Sequence, residues 1–133
     1  MERLKDKCVL ITGGTSGIGA ETARLFAEEG ARVVITGRSV QKGQALAKSL
    51  GNSVVFFEAD VADEDQIKSS IEHAKKELGK IDVLFNNAGG PADAPLDQIT
   101  QKDIDRGVRL LLSSVMLGTR YAIEPMKENG GGV

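Results

Sequence analysis

One cysteine, one histidine and three prolines are all that this 133-residue chain holds of those residue types, and it has no long apolar run. Cys8 has no intrachain disulfide partner, and at the head of a short apolar run it reads as a small packing residue. With His73 the sole histidine, a His/Cys metal site has no ligand set, so no metal is expected. No stretch approaches the roughly 20 apolar residues that span a bilayer. The opening MERLKDKCVL lacks the apolar core and cleavage site of a signal peptide, so no membrane partner and a cytoplasmic location are expected. Neither sign of charge is in large excess. A net charge of −2, with Lys and Arg scattered among Asp and Glu, leaves no electrostatic footprint for nucleic acid. Internal repeats, low-complexity tracts and linker-like stretches are absent, so residues 1–133 are expected to form one domain. What remains is ordinary globular composition, 41% hydrophobic and 27% charged, in a chain long enough to bury a sizeable core.

Short apolar runs alternate with segments of helical period, the signature of βαβ units. Cys8 to Thr12 runs into glycines; Ile18, Thr22, Leu25 and Phe26 then fall at helical spacing until Gly30 supplies a left-handed cap. Arg32 to Thr36 is β-branched and nearly all apolar, as suits a parallel strand covered on both faces, and a short helix follows at about Val40 to Leu50. Ser53 to Glu58 is the third run. Asp63 with Gln66 predicts a capping box for a helix carrying Ile67, Ile71, Ala74 and Leu78, closed by Gly79. Ile81 to Phe85 is the fourth run, and Pro91 and Pro95 exclude regular structure in the loop beyond it. Thr100 and Asp103 cap a long helix with Ile104, Val108, Leu111, Leu112, Val115 and Met116 at helical spacing, which Pro125 should end or kink. Right-handed crossovers between such units predict an α/β fold: a Rossmann-type doubly wound parallel sheet of strand order 3-2-1-4, incomplete at its C-terminal side.

The strongest local signal is TGGTSGIG, Thr12 to Gly19, set between the first strand and the first helix. Gly13 permits a tight turn, Gly17 lets the backbone approach a pyrophosphate, and Gly19 lets the helix pack closely on the sheet. The helix N-terminus beyond offers unsatisfied N–H groups and positive potential to phosphates. No Lys-Ser/Thr pair follows the last glycine, which excludes the nucleoside-triphosphate P-loop. A dinucleotide lies across the carboxyl ends of such strands. Its candidate contacts are therefore Gly13, Thr15, Ser16, Gly17, Ile18 and Gly19, then Gly37, Arg38 and Ser39, then Asp60 and Val61, then Asn87, Ala88 and Gly89. Asp60 has an alternative reading as a loop or helix-capping residue. Asn86 reads as a structural hydrogen-bonder.

The glycine motif, Asp60-Val61 after the third run and Asn86-Asn87-Ala88-Gly89 after the fourth stand in the order and spacing that resemble the short-chain dehydrogenases/reductases, over essentially the whole chain. The resemblance implies a nicotinamide cofactor, an aspartate at position 60 that meets the adenine, and an oligomeric oxidoreductase acting on a small carbonyl or alcohol. Gly37 stands where an NAD-selective site commonly carries a carboxylate for the ribose hydroxyls. Arg38 and Ser39, a delocalised cation and a hydroxyl, suit an adenosine 2′-phosphate instead, so NADP(H) is favoured over NAD(H). Many NADP-selective relatives also carry a basic residue in the glycine loop, where this chain has Thr15-Ser16, and Arg38 has an alternative reading as a solvated surface residue.

Relatives of this kind work with a serine and a Y-x-x-x-K pair on and after a fifth strand, the lysine lowering the tyrosine's pKa. None of these is expected in this chain, whose catalytic residues are therefore none. Tyr121, the only tyrosine, is followed four residues on by Pro125 and should pack, and Ser113 and Ser114 should be helix-surface residues. Leu111 stands where the resemblance implies a catalytic Asn, with Leu110, Leu112 and Ser113 around it. A second reading is thus a catalytically silent nucleotide-binding module, or a fragment. Two further expectations are an unpaired apolar edge at Ile81 to Phe85 and a substrate-pocket rim formed by Pro91 to Leu96.

Overall fold

The structure is a computed structural model and describes residues 1–91 and 94–133. Strands β1 (Cys8–Ile11), β2 (Arg32–Gly37), β3 (Val54–Glu58) and β4 (Val83–Phe85) form one parallel sheet in the order β3-β2-β1-β4. Helices α1 (Gly17–Glu28), α2 (Val40–Leu50) and α3 (Glu64–Leu78) connect them, and α4 (Gln101–Val108) and α5 (Ser114–Glu128) follow β4.

Alternation along β1 explains the two layers. Cys8 and Leu10 face a core shared with Ile71, Ala74 and Leu78 of α3 and Ala122 of α5. Val9 and Ile11 face the opposite core, with Ala23 of α1 and, from α2, Leu46, Ala47 and Leu50 packed against it. Each fully buried aliphatic side chain contributes roughly 1.5–3 kcal/mol. A strand with apolar residues at every position therefore stabilises both faces at once, which is why the helices wind on both sides. Cys8 is buried among them, burial pushes its thiol pKa up, and its Sγ contacts the Leu78 carbonyl at 3.6 Å, a packing arrangement with no reactive character.

Several local signals act as read. Thr100 and Asp103 make a reciprocal capping box, and Gly79 closes α3 in the left-handed conformation. Others differ. Asp63 accepts from the Gln66 N–H at 3.1 Å, but the Gln66 side chain reaches further back, its Oε1 accepting from the Asp60 N–H at 2.8 Å. The expected long helix is broken by a π-helical turn over Arg109–Ser113. There the Ser114 N–H reaches back five residues to the Arg109 carbonyl, while the Ser114 hydroxyl takes the Leu110 carbonyl at 2.6 Å. Ser114 is thus buried and not a surface residue as expected. Pro125 neither ends nor opens the helix early. It lies inside α5 close to its end at Glu128, where a missing N–H removes a single rung.

The β4 edge is not bare either. The Val133 N–H donates to the Asp82 carbonyl at 2.9 Å and the Leu84 N–H donates to the Val133 carbonyl at 2.8 Å, so Val133 pairs with the edge. Tyr121 packs its ring beside the core while its hydroxyl donates to Glu64 Oε1 at 2.6 Å.

Candidate functional site

Thr12 ends the run of buried β1 residues, and its hydroxyl oxygen accepts from the N–H groups of Asn87 and Ala88, both at 3.1 Å. In the other direction, Asn87 Nδ2 donates to the carbonyls of Thr12 (3.1 Å) and Gly13 (3.0 Å). The glycine loop and the loop after β4 are therefore clamped to each other by one hydroxyl and one amide. Gly13 sits at φ +64° with Ala88 so close that a Cβ would lie 2.7 Å from the Ala88 Cα. The loop folds tightly because glycine alone fits there.

Above this clamp α1 begins at Gly17, φ +54°. Helices α2, α3 and α4 each start with a side chain that caps a backbone N–H, from Ser39, Asp63 and Thr100. Helix α1 starts with Ser16, whose side chain makes no such bond, and its first turn carries no acidic residue. The positive end of α1 is left to whatever lies in front of it.

In front of it is a cavity of about 540 Å³, a size ordinary for a small-molecule or cofactor pocket. Of the residues expected to contact a dinucleotide, Gly13, Thr15, Ser16, Ile18, Gly37, Arg38, Asp60, Val61, Asn87, Ala88 and Gly89 line it. Gly17 lies between two lining residues and faces open space. Gly19 and Ser39 do not line it. Gly19 is pressed against the Gly13 carbonyl and Asn87, and the Ser39 hydroxyl caps α2 by accepting from the Lys42 N–H at 3.3 Å. Asn86 stays structural, 3.4 Å from the Thr119 hydroxyl. Pro91 lines the cavity, Leu96 is exposed, and Ala92 and Asp93 of the expected rim lie outside the described residues.

Ala59, Gly90, Arg106 and Leu110 complete the wall and were not read from the sequence. Ala59 and Gly90 flank motif residues and follow from them. Arg106 near the end of α4 and Leu110 in the π-helical turn after it lie four residues apart and distant in sequence from the motifs, and only the fold brings them in. The described lining residues include two guanidiniums, those of Arg38 and Arg106, and one carboxylate, that of Asp60, with Arg106 Nη2 3.5 Å from Asp60 Oδ2. No helix among the described residues is long and apolar enough to cross a membrane.

The family model described as short chain dehydrogenase matches residues 7–133. The chain belongs to the short-chain dehydrogenase family. It is 39% identical over 127 residues to Momilactone A synthase of Oryza sativa subsp. japonica, covering 93% of this chain and 46% of that protein. It is 37% identical over 133 residues to the NADP-dependent (R)-specific alcohol dehydrogenase of Lentilactobacillus kefiri, covering 98% of this chain and 53% of that one. Among solved structures, it resembles the 3-ketoacyl-(acyl-carrier-protein) reductase of Brucella melitensis complexed with NADH, with a TM-score of 0.88 and 34% identity over 96% of this chain and 53% of the other. The chain spans about half the length of the curated relatives it matches. Within this family the chain carries the four-stranded sheet and the glycine loop described above. At the position where the resemblance implies Asn it has Leu111, whose Cδ2 would be 3.2 Å from a Cβ built on Gly89.

Proposed function

We propose that the pocket binds NADP(H) and that the protein carrying this chain transfers a hydride between that cofactor and a small carbonyl or alcohol. The residues fit such a group. The uncapped end of α1 and the Thr15-Ser16 turn would hold the pyrophosphate, Asp60 and Val61 the base, and Asn87 to Gly89 the sugar on the β4 side. The cofactor supplies the hydride, and this chain supplies position and charge.

The observation that carries the NADP(H) preference is Arg38 in the pocket wall directly after Gly37. Position 37 carries no carboxylate for a free ribose hydroxyl, and a side chain there would have to turn Thr15 aside, because a Cβ would lie 2.6 Å from Thr15 Cγ2 and 3.0 Å from its Oγ1. A guanidinium at position 38 matches a phosphate with charge-assisted paired bonds. The name of the Lentilactobacillus kefiri relative supports this reading, while the NADH in the Brucella melitensis reductase belongs to the other cofactor class.

Calorimetric titration tests it. NADPH is expected to bind at least about tenfold tighter than NADH, and Arg38→Leu to weaken NADPH roughly 10- to 100-fold while leaving NADH within about threefold. Equal affinities in the parent chain would remove the preference, and binding of neither would remove the site.

Leu111 against Gly89 favours a second reading, a module that binds the dinucleotide without turning it over, since leucine offers no hydrogen bond to a proton relay. NADPH binding by the whole protein, with no oxidation or reduction across an alcohol and carbonyl panel, would select it. The exposed apolar side chains of Ile104, Val108, Leu112 and Met116 support self-association of that protein.

A further inference from the structure

We propose that Arg106 positions the Asp60 carboxylate to accept a hydrogen bond from the exocyclic amine of adenine, so that the pocket selects its base through a residue of α4. The inference rests on the dinucleotide reading above.

In an open parallel sheet the pyrophosphate sits at the β1–α1 turn and the adenosine half extends toward β2. Strand β3 lies next beyond β2 here, so a residue just past β3 meets the base, and Asp60 is that residue on the cavity wall. Its surroundings hold it from several sides. The Asp60 N–H donates to Gln66 Oε1 at 2.8 Å, and Asp60 Oδ1 accepts from the Ala62 N–H at 2.9 Å. Asp60 Oδ2 faces Arg106 Nη2 at 3.5 Å.

These distances matter for what the carboxylate can still do. At 3.5 Å the guanidinium contact is longer than the 2.7–3.2 Å of a close N–H···O bond. It orients Oδ2 by charge without filling its lone pairs. A carboxylate has about four acceptor sites and no donor when ionised, so Oδ2 keeps room for one N–H from a ligand. Adenine presents an amine at that edge. Hypoxanthine presents a carbonyl oxygen there, which would meet the carboxylate oxygen to oxygen. Both partners are half-buried, at 35% and 28% side-chain exposure, so the orienting charge is only partly screened.

Arg106 reaches the wall together with Leu110 of the π-helical turn, which places one face of this helical stretch against the ligand space. The base-reading carboxylate is thereby tied to the same helical segment that leads into the π turn.

The experiment titrates the full chain with NADPH and with its reduced hypoxanthine analogue, alongside thermal melting of every variant. The parent is expected to bind the adenine form about tenfold tighter. Arg106→Gln should bring the two within about threefold while leaving the NADPH to NADH ratio unchanged, and Arg106→Lys should restore part of the discrimination. In an Asp60→Asn background, Arg106→Gln should have no further effect on the ratio. An unchanged base ratio in Arg106→Gln overturns the inference. So does a ratio that falls only in step with melting temperature and is not recovered by lysine, because that is a structural role. A parent that binds both bases equally overturns it while leaving the dinucleotide reading intact, and a parent that binds no dinucleotide overturns the reading on which it stands.

Discussion

Replacing Gly19 with alanine is expected to abolish measurable NADPH binding and to lower the melting temperature by roughly 10 °C. Alanine is the better helix former by about 1 kcal/mol, so propensity alone predicts the opposite sign. Space decides against it. A Cβ at position 19 would fall well inside van der Waals contact of the Gly13 carbonyl oxygen, 2.5 Å from Asn87 Nδ2 and 2.9 Å from the Gly13 carbonyl carbon. Two of those atoms are backbone and cannot rotate away, so α1 must lift from the loop. Lifting it breaks the Asn87 bonds to Thr12 and Gly13 as well. Overpacking costs about 1–3 kcal/mol and each lost bond about 1 kcal/mol, a sum larger than the gain in propensity. Gly17→Ala is the useful contrast. It has φ +54° but nothing within 4 Å, so the expected stability loss is only about 1–2 kcal/mol of backbone strain, while the new methyl stands between Ser16 and Ile18 at the ligand side. Melting curves and titrations of the two variants separate packing from ligand approach. Parent-like affinity in Gly19→Ala would mean that the loop and helix are not a fixed cradle.

The parts of this molecule that could be read from sequence are those whose physics is local. Val33, Val34 and Ile35 lie fully buried in β2 because a run of β-branched residues has no polar face to turn outward. Thr100 with Asp103, and Gly79, work within one helical turn, so spacing alone finds them. Partners further away were not legible. Arg106 meets Asp60 across 46 residues, and nothing in the period of an exposed helix marks which arginine turns toward a cavity. Ser39 and Asn87 show a second limit. Both are polar residues in loops beside the site, and a hydroxyl or amide there suits a ligand and a backbone group equally well. The fold uses Ser39 to cap α2 and Asn87 to clamp the glycine loop. The π turn at Arg109–Ser113 escaped because three successive leucines satisfy a helical pattern in either register. The pairing of Val133 with Asp82 and Leu84 escaped because a single residue has no period at all.

Asp82 holds the opposite end of the β1–β4 seam from the Thr12–Asn87 clamp, and its loss is expected to be the most damaging change outside the pocket. Its side chain is only 11% exposed. It accepts from the Cys8 N–H at 2.8 Å, from Asn129 Nδ2 at 2.9 Å and from Lys80 Nζ at 3.0 Å, joining the start of β1 to the start of β4 and to the end of α5. Burial by itself would push this carboxyl's pKa up. The Cys8 N–H, Lys80 and Asn129 together outweigh burial and hold it below the usual aspartate range. The linkage follows with a definite sign. A carboxyl depressed in the folded state contributes stability that is fully present above its unfolded value of about 4, and that contribution disappears as the pH falls through the lower folded value. Asp82→Ala leaves the Cys8 N–H without this acceptor, and the expected cost at neutral pH is about 2–3 kcal/mol, read as a lower urea midpoint. Asp82→Asn keeps an acceptor for Cys8 but loses the charge that faces Lys80, so it should cost less and flatten the acid limb between neutral pH and pH 3. Urea midpoints across that range check the sign, and an acid limb as steep in Asp82→Asn as in the parent would remove this carboxylate from the account. Because Asp82 lies at the far end of the strands from the pocket, both variants should bind NADPH within about threefold of the parent wherever they are folded. The seam that supports the site can therefore be weakened without touching the groups that read the ligand.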